Sequence, residues 1–328
     1  MRGERYAELI HEYLEVASEL YPHALLHFED FGASSARRIL VQNAGSHRIF
    51  NDDMQGTAAI VLAAVISGLK VTRQTFASQR LLVYGAGTAG TGIADQIREA
   101  MISDGLGQQE AIDRIWLIDR KGLVTDDMEN LPDYQEPYAK PAGKTRRWAH
   151  SNGHIGLVET VRQVHPTILI GTSTDHDAFT QQVVEEMCKG VERPIILPLS
   201  NPTEKIEAVP ADVISWSRGK ALVSTGIPIE PFEYDGVRYE IGQGNNALLY
   251  PGLGLGVIVS GAERVSAGMI LAAAEAVASQ VDPRPAGASL LPAVENLRAS
   301  SATVAVAVVQ AAIEEGIATK HPDNVVQA

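Results

Sequence analysis

Two short acidic motifs contain the residues best suited to chemistry in this chain. The first is FEDF at 28–31, and the second is FNDDMQGT at 50–57. A carboxylate among apolar residues is costly unless a positive charge lies beside it. A divalent metal can serve several carboxylates at once, and oxygen ligands favour Mg²⁺ or Mn²⁺ over Zn²⁺. The motifs therefore predict a metal site, with Arg37, Arg38 and Arg48 as the alternative positive partners.

Each acidic pair also has an ordinary structural interpretation. Asp52 and Asp53 shortly precede a helix predicted from Thr57, so they can cap that helix. Glu29 and Asp30 can form a solvated strand end. Neighbouring residues on a regular strand point to opposite faces, so this pair can reach one ion only if the strand has ended or bulged there.

A glycine-rich segment lies further along the chain, where LLVYGAGTAG at 81–90 joins a predicted strand to a predicted helix. In a dinucleotide fold the first glycine makes the tight turn, the second admits the pyrophosphate, and the third lets helix and strand pack closely. A glycine turn that serves another ligand is the alternative. The residues predicted to bind a dinucleotide here are Gly85, Ala86, Gly87, Thr88, Ala89 and Gly90.

Asp119 ends the next predicted strand, where its carboxylate can accept hydrogen bonds from ribose hydroxyls, which favours NAD over NADP. Its distance from Gly87 exceeds the roughly 20 residues typical of the motif, so the first crossover contains an insertion. Arg120 and Lys121 follow directly and can neutralise a 2′-phosphate, which leaves NADP open.

The composition indicates a globular protein with room for two domains: 328 residues, of which 45% are apolar and 20% charged. A net charge of −13 argues against nucleic acid or an anionic membrane as a partner. The single cysteine, Cys188, fits a reducing cytosol and a packing role. The N-terminus predicts an amphipathic helix rather than a signal peptide, and the apolar run 60–66 is too short to span a bilayer. We expect a cytoplasmic protein.

Strands and helices alternate from residue 81 onwards. The predicted strands are 81–84, 115–118, 167–171, 194–199 and 221–224, and the predicted helices between them are 91–101, 157–164, 179–189 and 210–216. Apolar strands separated by amphipathic helices indicate the α/β class, with a Rossmann-like, doubly wound parallel sheet. The acidic motifs belong to a smaller, discontinuous helical segment outside that sheet.

These blocks, taken in order, closely resemble the malic enzyme family over almost the whole chain. The matching segments are 28–31, 50–57, 85–90, 115–123, 193–203, 225–228, 242–246 and 250–252. The resemblance implies NAD, Mn²⁺ or Mg²⁺, L-malate as substrate, and a homo-oligomer. It also implies the roles of individual residues: Glu29, Asp30 and Asp53 bind the metal, Asp52 supports that site, and Asn201 and Asn246 contact cofactor or malate.

Two branches of the family fit the sequence. Oxidative malic enzymes convert malate to pyruvate, CO₂ and NADH, whereas malolactic enzymes make lactate and CO₂ with no net redox change. The segments 171–174, 225–228, 232–237 and 246–256 look more like the malolactic branch. The family as a whole favours oxidative decarboxylation, so the sequence leaves the product open.

The family's general base lysine, general acid tyrosine and malate-binding arginine lie upstream of the block that begins at Arg2. The resemblance is therefore to the C-terminal portion of a malic enzyme. It implies a remnant of the catalytic and metal-site domain at 1–52, an NAD-binding domain at 53–245, and helices at 246–328 that pack back on the first segment. We expect weak catalysis from this chain alone, and a non-catalytic NAD- and metal-binding module is the alternative.

Two histidine pairs have the spacing of metal ligands on a helix, His23 with His27 and His150 with His154. A proline and a glycine turn interrupt helical continuity in these regions, so we expect surface histidines. His176 follows a predicted strand end and is placed to border the cofactor crevice.

Overall fold

The computed structural model describes residues 4–31, 33–148, 153–322 and 324. The helices are α1 (Glu4–Leu20), α2 (Ala33–Asn43), α3 (Thr57–Thr72), α4 (Thr88–Ser103), α5 (Gln108–Asp113), α6 (Ala142–Thr145), α7 (Leu157–Val164), α8 (Gln181–Gly190), α9 (Pro210–Trp216), α10 (Tyr250–Ser260), α11 (Ala267–Ala278) and α12 (Leu297–Glu314). The strands are β1 (Leu26–Phe28), β2 (Ile49–Asn51), β3 (Leu81–Tyr84), β4 (Ile115–Asp119), β5 (Gly122–Leu123), β6 (Ile168–Gly171), β7 (Ile195–Pro198), β8 (Leu222–Thr225), β9 (Phe232–Tyr234), β10 (Val237–Tyr239) and β11 (Gly242–Gln243).

Seven strands form the central sheet in the order β11-β8-β7-β6-β3-β4-β5. Neighbouring strands are parallel except for β5, which runs antiparallel to β4. The chain winds outward from β3 to β4 and then returns to β6 on the other side of β3. The strand order therefore reverses between β3 and β6, which confirms the predicted Rossmann-like, doubly wound sheet.

The strands of the sheet are apolar on both faces because helices cover both. In β3, Leu81 and Val83 face a cluster that includes α3, α4 and α11, while Leu82 faces a cluster formed with α7, α8 and α9. All three leucine and valine side chains are fully buried. This two-sided burial explains why the strands read as continuous apolar runs rather than as an alternating pattern.

Helix α3 is the central helix of the core, and it packs against α4 and α11. With the turn before it, α3 forms the stretch Asp52–Thr72, which is long and apolar enough to cross a membrane, as is Val294–Glu314. The apolar helix is thus longer than the run 60–66 that was noted in the sequence. Of the most apolar part of each stretch, 72% and 39% respectively is buried within the protein. The burial of the first is that of a core helix in a globular fold.

Strands β1 and β2 form a separate parallel pair. Leu14 of α1 packs with Phe28, Ile39 and Ile49 into a small apolar cluster beneath this pair. Arg48 joins the pair to the C-terminal helices, because its guanidinium donates to the carbonyls of Pro22, Gly261 and Ala262. The predicted division of the chain at residues 52 and 245 stays a prediction.

Several short elements were not predicted from the sequence. They include α5, β5, β11 and the hairpin of β9 and β10. The hairpin turn consists of Asp235 and Gly236, both with positive φ (50° and 73°). Such a turn matches the right-handed twist of the strands that it joins.

Candidate functional site

The two acidic motifs lie side by side because each follows one strand of the parallel β1–β2 pair. Phe28 is in register with Asn51, so Glu29 and Asp52 begin neighbouring loops at the same end of the pair. One ligand atom each from His27, Glu29 and Asp52 lies within 4.8 Å of the other two. We refer to Glu29, Asp30, Asp52 and Asp53 as the carboxylate cluster.

The adjacent carboxylates Glu29 and Asp30 follow the end of β1 rather than lying on a regular strand. The strand stops at Phe28, and Asp30 takes a left-handed conformation with φ 58°. Its backbone N–H donates to the Oδ2 of Asp53 at 2.9 Å. The condition set by the sequence, that the strand ends at this pair, is met.

Asp52 and Asp53 begin a π-helical turn at 52–56 and do not cap helix α3. The cap of this turn is Asn51, whose side chain accepts a hydrogen bond from the Met54 N–H at 2.9 Å. The capping interpretation of the acidic pair is therefore wrong. Gly56 leaves room for the Asp52 carboxylate, because a Cβ there would lie 2.0 Å from the Oδ1 of Asp52.

The Asp52 carboxylate is almost fully buried, with 4% of the residue exposed. Its Oδ2 accepts a hydrogen bond from Asn246 Nδ2 at 3.2 Å. Its Oδ1 is buried without a hydrogen-bond partner among the residues that the structure describes, and His27 Nε2 lies 3.9 Å away. A buried carboxylate oxygen in this state is unfavourable unless a positively charged group joins it.

The charged forms of Glu29 and Asp53 are destabilised by burial and by the neighbouring carboxylates. Burial raises the pKa of Glu29, and the nearby carboxylates of Asp52 and Asp53 raise it further. Burial also raises the pKa of Asp53, with further contributions from Asp30 and Asp52, although the Asp30 N–H acts in the opposite direction. Oxygen ligands, mutual repulsion and an unpartnered buried oxygen together fit a divalent cation such as Mg²⁺ or Mn²⁺.

Two of the three arginines considered as alternative partners, Arg37 and Arg48, are engaged elsewhere. Arg37 forms an ion pair with Asp95 of α4 at 2.8 Å, and Arg48 binds backbone carbonyls as described above. Neither neutralises the carboxylate cluster.

A cavity of about 420 Å³ joins part of the cluster to the edge of the central sheet. Its lining includes Glu29, Asp52, Asn201 and Asn246. Asn201 follows β7 and Asn246 follows β11, so both asparagines come from the carboxyl ends of strands, where α/β sheets bind ligands. Tyr250 completes the rim, with its ring 5.3 Å from that of His27.

The glycine turn has the conformation that the sequence predicts. Gly85 takes φ 108° directly after β3, and a Cβ there would lie 2.5 Å from backbone atoms of Thr172 and Ser173. A Cβ on Gly90 would lie 2.1 Å from the carbonyl oxygen of Gly85. These two glycines are required by close backbone packing.

Gly87 differs from the other two glycines, because a Cβ there would meet none of the described atoms within 4 Å beyond its chain neighbours. It is the N-cap of α4, and it has no side chain to accept a hydrogen bond from the first N–H groups of the helix. Thr88 and Ala89 begin the helix. Open space in front of uncapped N–H groups at the start of a 16-residue helix fits the pyrophosphate of a dinucleotide.

Asp119 is the last residue of β4 and is held in place by Gln135, which was not predicted from the sequence to be part of the site. Gln135 Nε2 donates to Asp119 Oδ2 at 2.7 Å and to the Ala86 carbonyl at 2.7 Å. Arg120 N–H donates to the other carboxylate oxygen at 2.8 Å. Gln135, with 2% of its surface exposed, thus fixes the predicted ribose acceptor relative to the glycine turn.

The histidines expected at the surface, His23, His27 and His154, are exposed in the structure. His27 also lies beside the carboxylates, with one ring nitrogen within 4.8 Å of a ligand atom of Glu29 and of Asp52. His176 contacts the carbonyl of Ile206 at 3.1 Å. His150 lies outside the described residues.

This chain is similar in sequence to a family model and to known proteins. The family model "Malic enzyme, NAD binding domain" matches residues 54–313. "NAD-dependent malic enzyme 3" of Bacillus subtilis is 51% identical and covers 100% of this chain, which spans 58% of that relative. "Malolactic enzyme" of Lactococcus lactis is 42% identical over 99% of this chain and 60% of its own length.

Solved structures share the fold. The malic enzyme of Pyrococcus horikoshii superposes with a TM-score of 0.75 over 97% of this chain and 68% of that chain, at 24% identity. The malic enzyme of Entamoeba histolytica gives a TM-score of 0.73 over 96% of this chain and 60% of that chain, at 21% identity. The chain spans about three fifths of the length of the curated relatives named above. From the family-model match and the identity to these relatives, the chain belongs to the malic enzyme family.

Proposed function

We propose that this chain is the NAD- and metal-binding part of an enzyme that decarboxylates L-malate to pyruvate and CO₂, with NAD as the hydride acceptor. The observation that supports it most is the shared cavity, which Glu29 and Asp52 of the carboxylate cluster line together with Asn201 and Asn246. The π-helical turn of the cluster also packs on α4, where Gly92 lies against Met54. The cluster is therefore adjacent to the helix that begins at the glycine turn.

Within this proposal, Glu29, Asp30 and Asp53 hold Mn²⁺ or Mg²⁺, and Asp52 supports them. When bound, the cation supplies Lewis-acid polarisation of substrate oxygen atoms. The chain keeps the carboxylates together, because Asn246 donates to Asp52 and the Asp30 N–H donates to Asp53. This arrangement orients the ligands before the cation arrives.

The asparagines of the cavity are the proposed contacts to malate and cofactor. Amide N–H groups on Asn201 and Asn246 are suitable donors to the carboxylates of a small dicarboxylic acid. Asn246 then has two partners, since the same amide donates to Asp52. A shift of Asn246 would therefore disturb substrate contact and the carboxylate cluster together.

The NAD half of the proposal uses the glycine turn and Asp119. The turn at 85–90 receives the pyrophosphate at the start of α4, and Asp119 accepts hydrogen bonds from the adenosine ribose. NAD is favoured over NADP because a 2′-phosphate beside the Asp119 carboxylate would place two negative charges together. The match of residues 54–313 to an NAD-binding domain supports this choice.

Malolactic conversion, from malate to lactate and CO₂, is the second candidate. Malolactic enzymes of Lactococcus lactis and Leuconostoc mesenteroides are 42% and 43% identical to this chain. The relatives named above are all described as enzymes, so they lend no support to a non-catalytic binding module. Both reactions need the same metal and NAD sites and differ in whether pyruvate takes the hydride back before it is released.

The test uses the purified chain with Mn²⁺, NAD and isotopically labelled malate, and it measures lactate, pyruvate and NADH together. Pyruvate with stoichiometric NADH supports the oxidative reaction, and lactate without NADH accumulation supports the malolactic one. Calorimetric titrations with Mn²⁺ and with NAD accompany the assay. Failure of the folded chain to bind either ligand would refute the proposal.

A further inference from the structure

We propose that Glu207 is the positioning residue that fixes the nicotinamide side of the cofactor crevice; this inference rests on the proposed function. The Glu207 carboxylate joins the loop after β6, residues 172–175, to the loop after β7, residues 199–203. It acts through these loops and not by touching the ligand.

Glu207 is fully buried, and four hydrogen bonds satisfy its carboxylate. Oε1 accepts from the Ser173 N–H at 2.8 Å, the Ser173 hydroxyl at 2.9 Å and the Ser200 hydroxyl at 2.5 Å. Oε2 accepts from the Ser200 N–H at 3.2 Å. Buried polar atoms are paired with hydrogen-bond partners, and these four bonds tie both loops to one side chain.

The two serine hydroxyls extend the network into the loop after β6. Each hydroxyl has one proton, which it gives to Glu207, and so each is left to accept from a backbone N–H. Ser173 Oγ accepts from the Asp175 N–H at 3.1 Å, and Ser200 Oγ accepts from the Thr174 N–H at 2.9 Å. Every N–H from Ser173 to Asp175 is thus fixed by this network.

The loop after β6 reaches the glycine turn directly. The Thr172 hydroxyl donates to the Gly85 carbonyl at 2.8 Å. On the other side of Glu207, Ser200 precedes Asn201, which lines the cavity of the carboxylate cluster. One carboxylate therefore sets the position of groups that border both the cofactor turn and the proposed substrate cavity.

Gly171 lies against Glu207 and, having no side chain, leaves room for its carboxylate. Gly171 ends β6, and a Cβ at that position would lie 2.5 Å from the carboxyl carbon of Glu207. The backbone carbonyl of Glu207 also accepts from the Phe179 N–H at 2.8 Å, which anchors its own main chain.

The topology assigns these loops to the nicotinamide half of the crevice. In a doubly wound sheet the dinucleotide lies across the point where the strand order reverses, which here is between β3 and β6. The glycine turn and Asp119, after β3 and β4, serve the ADP half. The loops after β6 and β7 lie on the other side and border the nicotinamide.

The test is Glu207→Gln in the full chain, with affinities for NAD⁺ and ADP-ribose measured by calorimetry. The amide keeps the size of the side chain but places an NH₂ group against N–H or O–H donors. We expect NAD⁺ affinity to fall about tenfold or more, a loss of 1.4 kcal/mol or greater, while ADP-ribose affinity changes less than about twofold. Glu233→Gln, at an exposed position of β9, is the matched control and should change neither affinity.

A second variant tests the proposal if Glu207→Gln fails to fold. Ser200→Ala removes one hydroxyl donor and leaves the carboxylate in place, so the same selective loss for NAD⁺ is expected at smaller size. Equal losses for NAD⁺ and ADP-ribose, or no loss of NAD⁺ affinity in folded variants, would overturn the positioning role. Failure of the unsubstituted chain to bind NAD⁺ or ADP-ribose would instead refute the proposed function.

Discussion

Asn246 Nδ2 lies 3.2 Å from Asp52 Oδ2, although 194 positions of sequence separate the two residues. The same amide lies 3.3 Å from the Thr57 hydroxyl at the start of α3. The bond joins the turn after β2 to the turn before α10, so the carboxylate cluster depends on a segment near the C-terminal helices.

Asn246→Ala should destabilise the fold as well as the site. The substitution removes the hydrogen bond from this amide to the buried Asp52 carboxylate. We therefore expect the free energy of unfolding to fall by about 1–3 kcal/mol. Urea denaturation measures the change. Asn201→Ala is the control, because Asn201 is exposed and its loss should alter the unfolding free energy by less than about 0.5 kcal/mol. Equal stability of the two variants would contradict the structural role of Asn246.

The glycine turn offers a matched pair of alanine substitutions. Gly90→Ala forces a Cβ against the Gly85 carbonyl and should destabilise the fold by about 1–3 kcal/mol. Gly87→Ala adds its Cβ to open space, so the unfolding free energy should stay unchanged while NAD affinity falls. Thermal denaturation and NAD titration of both variants distinguish these effects. Full NAD affinity in Gly87→Ala would show that the pyrophosphate binds elsewhere.

Asp53→Asn should weaken metal binding and spare NAD. The substitution removes one charged oxygen ligand from the carboxylate cluster, and we expect Mn²⁺ affinity to fall about tenfold or more, equivalent to 1.4 kcal/mol. Electron paramagnetic resonance of free Mn²⁺ measures the loss. Asp133→Asn, at an exposed position, is the control. Unchanged Mn²⁺ affinity in Asp53→Asn would remove Asp53 from the ligand set, and Glu29→Gln tests its neighbour in the same way.

The choice of NAD over NADP should depend on Asp119 and on Gln135, which holds it. We expect the chain to bind NAD more tightly than NADP at physiological salt. Asp119→Asn should reduce that preference, since the carboxylate no longer repels a 2′-phosphate, and Gln135→Leu should reduce it in part. Equal dissociation constants for NAD and NADP in the unsubstituted chain would show that Arg120 and Lys121 outweigh Asp119.

Stability should rise with pH because of Lys140. Only 8% of this residue is exposed, and burial lowers the pKa of its ammonium group to about 8 from the ordinary 10.5. Between these values the unfolded chain binds the extra proton, so the unfolding free energy should rise by about 2 kcal/mol from pH 7.5 to 9.5. Burial raises the pKa of Tyr84 and Tyr138, so the window is kept below pH 10, where tyrosines ionise in the unfolded chain.

Urea denaturation at the two pH values measures the Lys140 contribution. Lys140→Met should lack the rise, and Lys205→Met, at an exposed position, should keep it. A rise of the same size in Lys140→Met would assign the pH dependence to other groups.

Local sequence predicted the elements whose signals lie within a few residues. The bounds of β3, α7 and α9 agree with the predicted ones, because buried apolar runs and amphipathic periodicity determine them. The glycine turn was also predicted, because the spacing of its glycines is a signal within a few residues. The hairpin of β9 and β10 was missed although its Asp235-Gly236 turn, flanked by aromatic and β-branched residues, is a recognised signal.

The supporting residues of the site lay beyond such local signals. Gln135 contacts Asp119 from an irregular loop, and Glu207 contacts Ser173 over 34 positions. Neither contact follows from periodicity or spacing, since each depends on how the loops fold against the sheet. The sequence therefore identified residues that would meet ligands more readily than residues that hold them in place.

The burial of α3 affects how the protein is made. One face of this helix is covered by α11, which lies about two hundred residues further along the chain. While the ribosome is still synthesising the intervening sheet, that apolar face has no native partner. The core can close only after translation has passed Ala278, so the emerging chain must be shielded by chaperones or remain at risk of aggregation until then.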